Sequence, residues 1–296
     1  MNYQDNIIDD IDFKNLKNID YVKLAYLVLL KRKIDRVGLD YWQEQIRNGK
    51  FSHENVLNNI LNSEEYKSQH FPFLEILHKG RQLWARKLKR FNHILDIGGS
   101  CPHNKMGALV ELGYRYRAKE TIIIDLPEDK QFWGEPNFDQ AKVYSFKWGS
   151  VRYIHEYAEN INNISELKEL KFDLVFMGQT IEHIEKERLP LVLSFIVEHL
   201  RKNGRFIFDT PNRDITKIQN PNSYVSPDHK YEYTPIELEK ILQDSGFKII
   251  NKFGILNMPN TYKTKIFDYF EVKKTKILNK YPETSYVFAF ECVNGR

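Results

Sequence analysis

Residues 91–101 hold the group best suited to receiving a ligand. A short apolar run, 94–97, contains Asp96 and ends in Gly98 and Gly99, followed by Ser100, Cys101 and Pro102. A side chain at either glycine would keep the backbone from closing on a bound molecule, and a helix predicted over 106–112 would present unpaired amides at its start. Strand, tight turn and helix in that order form the place where an open α/β sheet takes a nucleotide-like ligand. A second acid, Asp125, closes the β-branched run 120–125 ahead of Leu126 and Pro127, which predicts a buried parallel strand whose last residue faces the same edge.

Asp96, Ile97, Gly98, Gly99 and Ser100 resemble the first motif of the class I S-adenosylmethionine (SAM) dependent methyltransferases, with Ser100 and Pro102 standing where glycines are usual. Later stretches extend the resemblance: Phe172, Asp173, Leu174 and Val175 opening a fourth strand, Glu182, His183 and Ile184 just beyond it, and Leu200, Arg201 and Gly204 ahead of a fifth. A His shortly before Thr234 and Pro235, with a helix ending at Gly246, is similar to the Methyltransf_11/23-like branch that modifies small hydroxylated compounds. The resemblance implies that Asp96, Gly98, Gly99 and Ser100 contact SAM and that Asp125 holds its ribose, because a vicinal diol offers two donors to one two-oxygen acceptor. It further implies that Leu126 lies against the adenine, with Gly149 and Ser150 beside it after a third strand at 141–146, and that Gln179 passes the cofactor at the end of strand four.

The reaction so implied is in-line attack of an acceptor on the SAM methyl, with the sulfonium supplying the leaving group and the protein the alignment. A hydroxyl acceptor needs a base, and His183 and His229 are the two candidates. Other chemistries are excluded by missing residues. From Gly98 or from Gly99, the third and sixth places of a dinucleotide fingerprint are not glycine. Met177, Gly178, Gln179 and Thr180 stand where base-flipping enzymes carry Asn/Asp-Pro-Pro-Tyr, so no nucleic-acid acceptor is expected. No acid follows strand four where catechol-type enzymes hold Mg²⁺, and no closely spaced His or Cys pair occurs, so no metal site is expected.

The elements that must position these residues divide the chain in two. With 296 residues, a length suited to about two domains, the split is placed at 1–85 and 86–296. The first part reads as helices: Tyr21, Leu24, Ala25 and Val28 recur at helical spacing, as do residues 39–46 and 56–61, with 35–38 and 48–50 as breaks and Ser52 and Ser63 as caps. Arg32, Asp35, Gly38, Leu39, Tyr41, Trp42 and the Ser63-Glu64-Glu65-Tyr66 ending resemble the bacterial DUF4214 family, which keeps company with surface glycan biology. Tyr41 and Trp42 form either a sugar-stacking pair or plain core. A basic amphipathic stretch, 71–90, leads into the second part.

That second part is predicted to be a Rossmann-like, seven-stranded class I methyltransferase sheet, closing with a sixth strand from Phe247 and an antiparallel strand at 285–293, and with an aromatic insertion at 262–280 between them. Thr234 and Glu237 are expected to form a capping box, and Asn212 to stabilise a turn. The net charge of +4 lacks a basic block that announces nucleic acid. Two cysteines, a polar start and no long apolar run point to a cytoplasmic enzyme without a membrane span. The expected acceptor is a small molecule, first a sugar or glycan hydroxyl, and the expected cofactor is SAM. The rival is a methyltransferase-fold scaffold that has lost the cofactor.

Overall fold

A computed structural model of the chain describes residues 17–63, 65–66, 73–127, 130–131 and 137–295. The polar start of the chain lies outside the described residues. Two compact units divide after Leu74, where the sequence placed the boundary after residue 85.

The first unit contains α1 (Asn18–Leu30), α2 (Arg36–Arg47) and α3 (His53–Asn62). Val22, Ala25, Leu30, Trp42, Val56 and Ile60 make its core. The first break falls at residues 31–35, with 36–38 already in α2; Asp35 closes it as the cap of α2, its carboxylate accepting from Gly38 N at 2.8 Å, and Ser52 caps α3 through Asn55 N at 3.0 Å. The Arg and Glu of the DUF4214 signature are partners: Arg32 forks onto Glu65 with contacts of 2.5 and 2.7 Å. Trp42 is 2% exposed and Tyr41 46%, so the two do not form a joint stacking surface; Trp42 is core.

One helix, α4 (Phe73–Ala85), in the second unit from Glu75 onward, leads to a mixed sheet of nine strands among the described residues. They are β1 (His93–Ile97), β2 (Glu120–Asp125), β3 (Tyr144–Phe146), β4 (Gly149–His155), β5 (Phe172–Gly178), β6 (Leu200–Pro211), β7 (Phe247–Asn257), β8 (Leu278–Asn279) and β9 (Ser285–Asn294). Their order is β3-β4-β2-β1-β5-β6-β9-β7-β8. The five strands from β4 to β6 run parallel, β9 inserts antiparallel between β6 and β7, and these seven are the expected sheet. Short antiparallel strands, β3 and β8, extend it at its two edges. Aromatics of β6 and β9, Phe206, Phe208, Phe288 and Phe290, are fully buried in the main core.

Three local expectations change. The third parallel strand is β4, not 141–146, whose Tyr144–Phe146 part is only the edge of a hairpin with β4. The helix after the glycine turn, α5 (Ala108–Glu111), is a single turn started by Gly107 at φ 89°. Between β4 and β5 the chain forms 3₁₀ turns, Ala158–Asn163 and Ser165–Leu167. The remaining helices are α6 (Leu189–His199), α7 (Arg213–Gln219), α8 (Pro235–Asp244) and α9 (Pro259–Thr264). Thr234 caps α8 through Glu237 N at 3.2 Å, but Glu237 does not return the bond: its carboxylate accepts from Lys186 and Tyr231. Asn212 stabilises its turn as expected, capping α7 through Asp214 N and donating to the carbonyls of Pro282, Glu283 and Ser285.

Candidate active site

The carboxyl ends of β1, β2, β4, β5 and β6 lie along one edge of the sheet, which is where an open α/β sheet binds ligands. At the end of β1, Gly98 adopts φ 73°, and its amide donates to Ile124 O at 2.7 Å. A Cβ there would fall 2.3 Å from Thr180 Oγ1, and one at Gly99 would fall 2.2 Å from the Asp96 carboxyl carbon. The pair is thus demanded by the protein's own packing as well as by a ligand. The amides at the start of α5 are already committed, Ala108 N to Gly99 O at 2.7 Å and Leu109 N to Asp96 Oδ2 at 3.3 Å. That turn therefore offers its ligand the glycine backbone and not a helix start.

Asp96 is 1% exposed, and burial pushes its carboxyl up to about 7 against the opposing Leu109 bond, with the neighbouring Asp125 adding a smaller push. Asp125 ends β2, and its oxygens accept from Ser100 N at 2.7 Å and Leu126 N at 2.8 Å. Burial raises its pKa while those two bonds lower it. Ser100, 2% exposed, turns its hydroxyl inward: Gln140 donates to it at 2.7 Å and it pairs with Gln131 at 3.1 Å. Gln131 in turn donates to Leu126 O at 3.1 Å, so the side chains of Ser100, Gln131 and Gln140 brace the loops after β1 and β2. Gln140, fully buried, has no counterpart in the sequence motifs.

Gly149 and Ser150 are not on this edge. They open β4, where Ser150 pairs with Glu120, the first residue of β2. The misreading follows from taking the hairpin's outer strand for the parallel one; the residues that leave β4 at the ligand edge are His155 and Glu156, with Glu156 N donating to Asp125 O at 2.9 Å. Gly149 is required by close packing, since a Cβ would lie 2.4 Å from the carbonyl oxygens of Ala118 and Lys119. Gly149→Ala is expected to cost about 1–3 kcal/mol of stability, seen as a lower thermal midpoint, with cofactor affinity of the folded protein unchanged.

Gln179 leaves β5 at φ 59°, its amide nitrogen donating to Asp209 O at 2.8 Å and its side chain to Asp209 Oδ2 at 2.9 Å. Asp209, fully buried at the matching position of β6, also receives Arg81 of α4 through a two-point contact of 2.5 and 3.2 Å. Arg81 and Asp209 went unnoticed in the sequence because one lies in a generic basic stretch and the other in a strand; only the β5–β6 register brings Asp209 opposite Gly178.

Beyond Gln179, Thr180 donates to Ile97 O at 3.1 Å, tying the turn Ile181–His183 to the end of β1. The two predicted histidines meet there, His183 and His229 packing edge to face with ring centroids 4.9 Å apart. Glu182, fully buried, joins them: one donor atom each of Glu182, His183 and His229 lies within 4.8 Å of the other two. Burial pushes the Glu182 carboxyl up to about 7. Two histidines and a carboxylate so gathered can take up either protons or a cation.

The glycine turn after β1, the acid ending β2 and the antiparallel β9 set between β6 and β7 together agree with the class I SAM-dependent methyltransferase sheet that the sequence resembles. Residues 68–252 match the profile of the methyltransferase domain family Methyltransf_23, and the chain belongs to that family. It is a SAM-dependent methyltransferase, and SAM is its cofactor. Residues 11–70 match a domain of unknown function, DUF4214. A small RNA 2'-O-methyltransferase of Tetrahymena thermophila is 29% identical over 200 residues, covering 62% of this chain and 45% of that protein, so the chain spans less than half the length of this relative. Among solved structures, a SAM-dependent methyltransferase from Archaeoglobus fulgidus is 19% identical with a TM-score of 0.49, covering 77% of this chain and 98% of the other. A possible histamine N-methyltransferase from Thermotoga maritima is 16% identical with a TM-score of 0.48, covering 77% and 93%. These two are likenesses of fold. No helix among the described residues is long and apolar enough to cross a membrane.

Proposed function

We propose that the chain methylates a hydroxyl of a sugar, in a glycan or small glycoside, and does so in the cytoplasm. The observation that carries this reading is the meeting of His183 and His229 on the cofactor edge, where a hydroxyl must be held and relieved of its proton as it attacks. Asp96, Gly98, Gly99, Asp125, Leu126 and Gln179 are the residues assigned to SAM, with Asp125 on the ribose and Ser100 shaping the turn through its backbone. The Tetrahymena relative, by its name, also methylates an oxygen. Two cysteines, both free and buried, suit a reducing compartment.

A second acceptor, the ribose of an RNA, is favoured by that relative's name and by six exposed lysines, Lys263, Lys265, Lys273, Lys274, Lys276 and Lys280. They lie in the segment between β7 and β9; Asn257, which ends β7, is paired with Ser285, and Val287 with Pro211 at the ligand edge. Incubating the chain with methyl-labelled SAM and a panel of oligosaccharides, glycosides, short single-stranded RNAs, small amines and carboxylic acids separates the readings. Label in oligosaccharide or glycoside is expected. Label in RNA alone assigns the second acceptor, and label only in amines or carboxylic acids overturns the hydroxyl reading.

A further inference from the structure

Residues 258–281, between β7 and β9, contain six lysines and two acids, a net charge of +4 that equals the formal charge of the whole chain. The rest of the sequence is therefore balanced, and the excess is gathered in one place. Both acids are engaged within the segment. Glu271 is buried, and its carboxylate accepts from Asn260 N at 2.5 Å and from Thr261 N and Oγ1, each at 2.8 Å. Asp268 accepts from Phe270 N at 2.9 Å. All six lysines are exposed, so the surface the segment presents to solvent is more basic than its composition.

This basic segment stands at the ligand edge and is held there by backbone. Met258 N donates to Thr284 O at 2.7 Å, just beyond the Asn257–Ser285 pair, and Leu256 N donates to Ile277 O at 2.7 Å. Glu271 and Asp268, whose amide donates to Thr261 Oγ1 at 3.2 Å, draw the chain back onto residues 260 and 261, so that 262–267 stand out as a closed loop. In that loop, next to Lys265, Ile266 is 72% exposed. Phe270 and Tyr281 are exposed further along the segment. Ile236, 69% exposed in the first turn of α8, joins them at the same edge, where Arg213 N, just past β6, donates to Tyr233 O at 2.9 Å.

Each class of partner asks for a different surface. The phosphates of a nucleic acid are met by lysines and its bases by aromatic faces, and neither has a use for exposed isoleucines. A protein partner is met by an apolar centre from which lysine is depleted. Lysines interleaved with isoleucine and aromatic side chains suit the boundary between lipid headgroups and acyl chains. There the apolar side chains and lysine stems dip inward while the ammonium groups stay among anionic headgroups. We propose that residues 262–281, together with Ile236, dock the enzyme on an anionic bilayer surface with its cofactor edge toward the membrane, where the acceptor is met as a lipid-borne glycan. The identity of that acceptor rests on the sugar reading above; the docking surface stands on the charge and the exposed side chains alone.

The test is sedimentation of the full chain with vesicles of phosphatidylglycerol and phosphatidylcholine in equal parts, and with vesicles of phosphatidylcholine alone. Binding to the anionic vesicles only is expected, and added salt should weaken it by screening lysines and headgroups. Lys274→Ala combined with Lys276→Ala should weaken it by about 30-fold, at about 1 kcal/mol for each lysine near such a surface. Ile266→Ser should weaken it by about 10-fold, the scale of one apolar side chain withdrawn from water. Circular dichroism and SAM affinity are expected to be unchanged in both variants, because the three side chains are exposed, and they guard against a folding defect. No sedimentation of the folded wild type with anionic vesicles, equal binding to both kinds of vesicle, or no loss in the lysine variant overturns the proposal. So does a loss in the lysine variant that Ile266→Ser does not share, since phosphate alone then accounts for the contact. Binding to short single-stranded RNA without binding to vesicles assigns the lysines to nucleic acid and overturns it as well. Vesicle binding of the expected kind with no label in any sugar keeps the docking surface and sinks the sugar reading.

Discussion

Asp125→Ala is expected to weaken SAM and S-adenosylhomocysteine binding by about 100-fold, measured by calorimetric titration. Each oxygen of Asp125 already takes one backbone amide, from Ser100 and from Leu126, which aims the carboxylate and leaves each oxygen a second lone pair. A ribose diol can donate to both. Hydrogen bonds to a charged acceptor contribute about 1.5–3 kcal/mol each, and partial replacement by water leaves a loss of about 3 kcal/mol, or about 100-fold. The Ala variant also strips Ser100 N of its acceptor, loosening the glycine turn from β2. Asp125→Asn keeps one oxygen and is expected to lose about 10-fold. An Ala variant that binds both ligands as tightly as the wild type would show that the end of β2 does not hold the ribose.

The parts of this site that could be read from sequence are those written in short stretches. Residues 94–97 and 120–125 are buried apolar runs that end in glycine or acid, so strand, turn and carboxylate are legible together. The third strand was not, because its burial is inverted from what hydropathy suggests. Val143, in the more apolar run, is 61% exposed, whereas the true strand, with Arg152, Tyr153 and His155, is half-buried along most of its length. One wrong strand carried Gly149 and Ser150 to the wrong edge.

Long-range pairing hid the rest. Glu182 and His183 stand together just past β5, but His229 lies 46 residues further on and arrives from a loop before α8, so no short, regular spacing marks the three as a group. What joins them is backbone: Lys230 N and Tyr231 N both donate to Glu182 O, at 2.8 and 3.1 Å. An acid followed by His just past a parallel strand, with a further His ahead of a capped helix, is the signal that finds this cluster in sequence. The Arg81–Asp209–Gln179 group has no such signal, since it depends on the β5–β6 register and on α4 reaching the same edge.

Asp96→Asn is expected to raise the thermal midpoint of the ligand-free protein at pH 8 by about 10 °C and to leave it little changed near pH 4. Burial lifts the Asp96 carboxyl from 3.8 to about 7 in the fold. Below pH 3.8 folded and unfolded chains are both protonated, and the charge plays no part. Between pH 3.8 and 7 the unfolded chain releases the proton and the folded chain keeps it, so stability falls by about 1.4 kcal/mol per pH unit and levels off above pH 7. The total is about 4 kcal/mol, and at about 2–4 °C per kcal/mol for a unit of this size it gives the expected shift. Asparagine escapes the loss while still offering an oxygen to Leu109 N. SAM adds a sulfonium and an ammonium charge to this edge, which favours the ionised Asp96. Its binding near pH 6 should therefore release a proton, visible as a calorimetric heat that varies with the buffer's ionisation enthalpy and is absent in the variant. Parallel stability curves for the two proteins from pH 4 to 8 would show that Asp96 is ionised throughout and that the fold tolerates its charge.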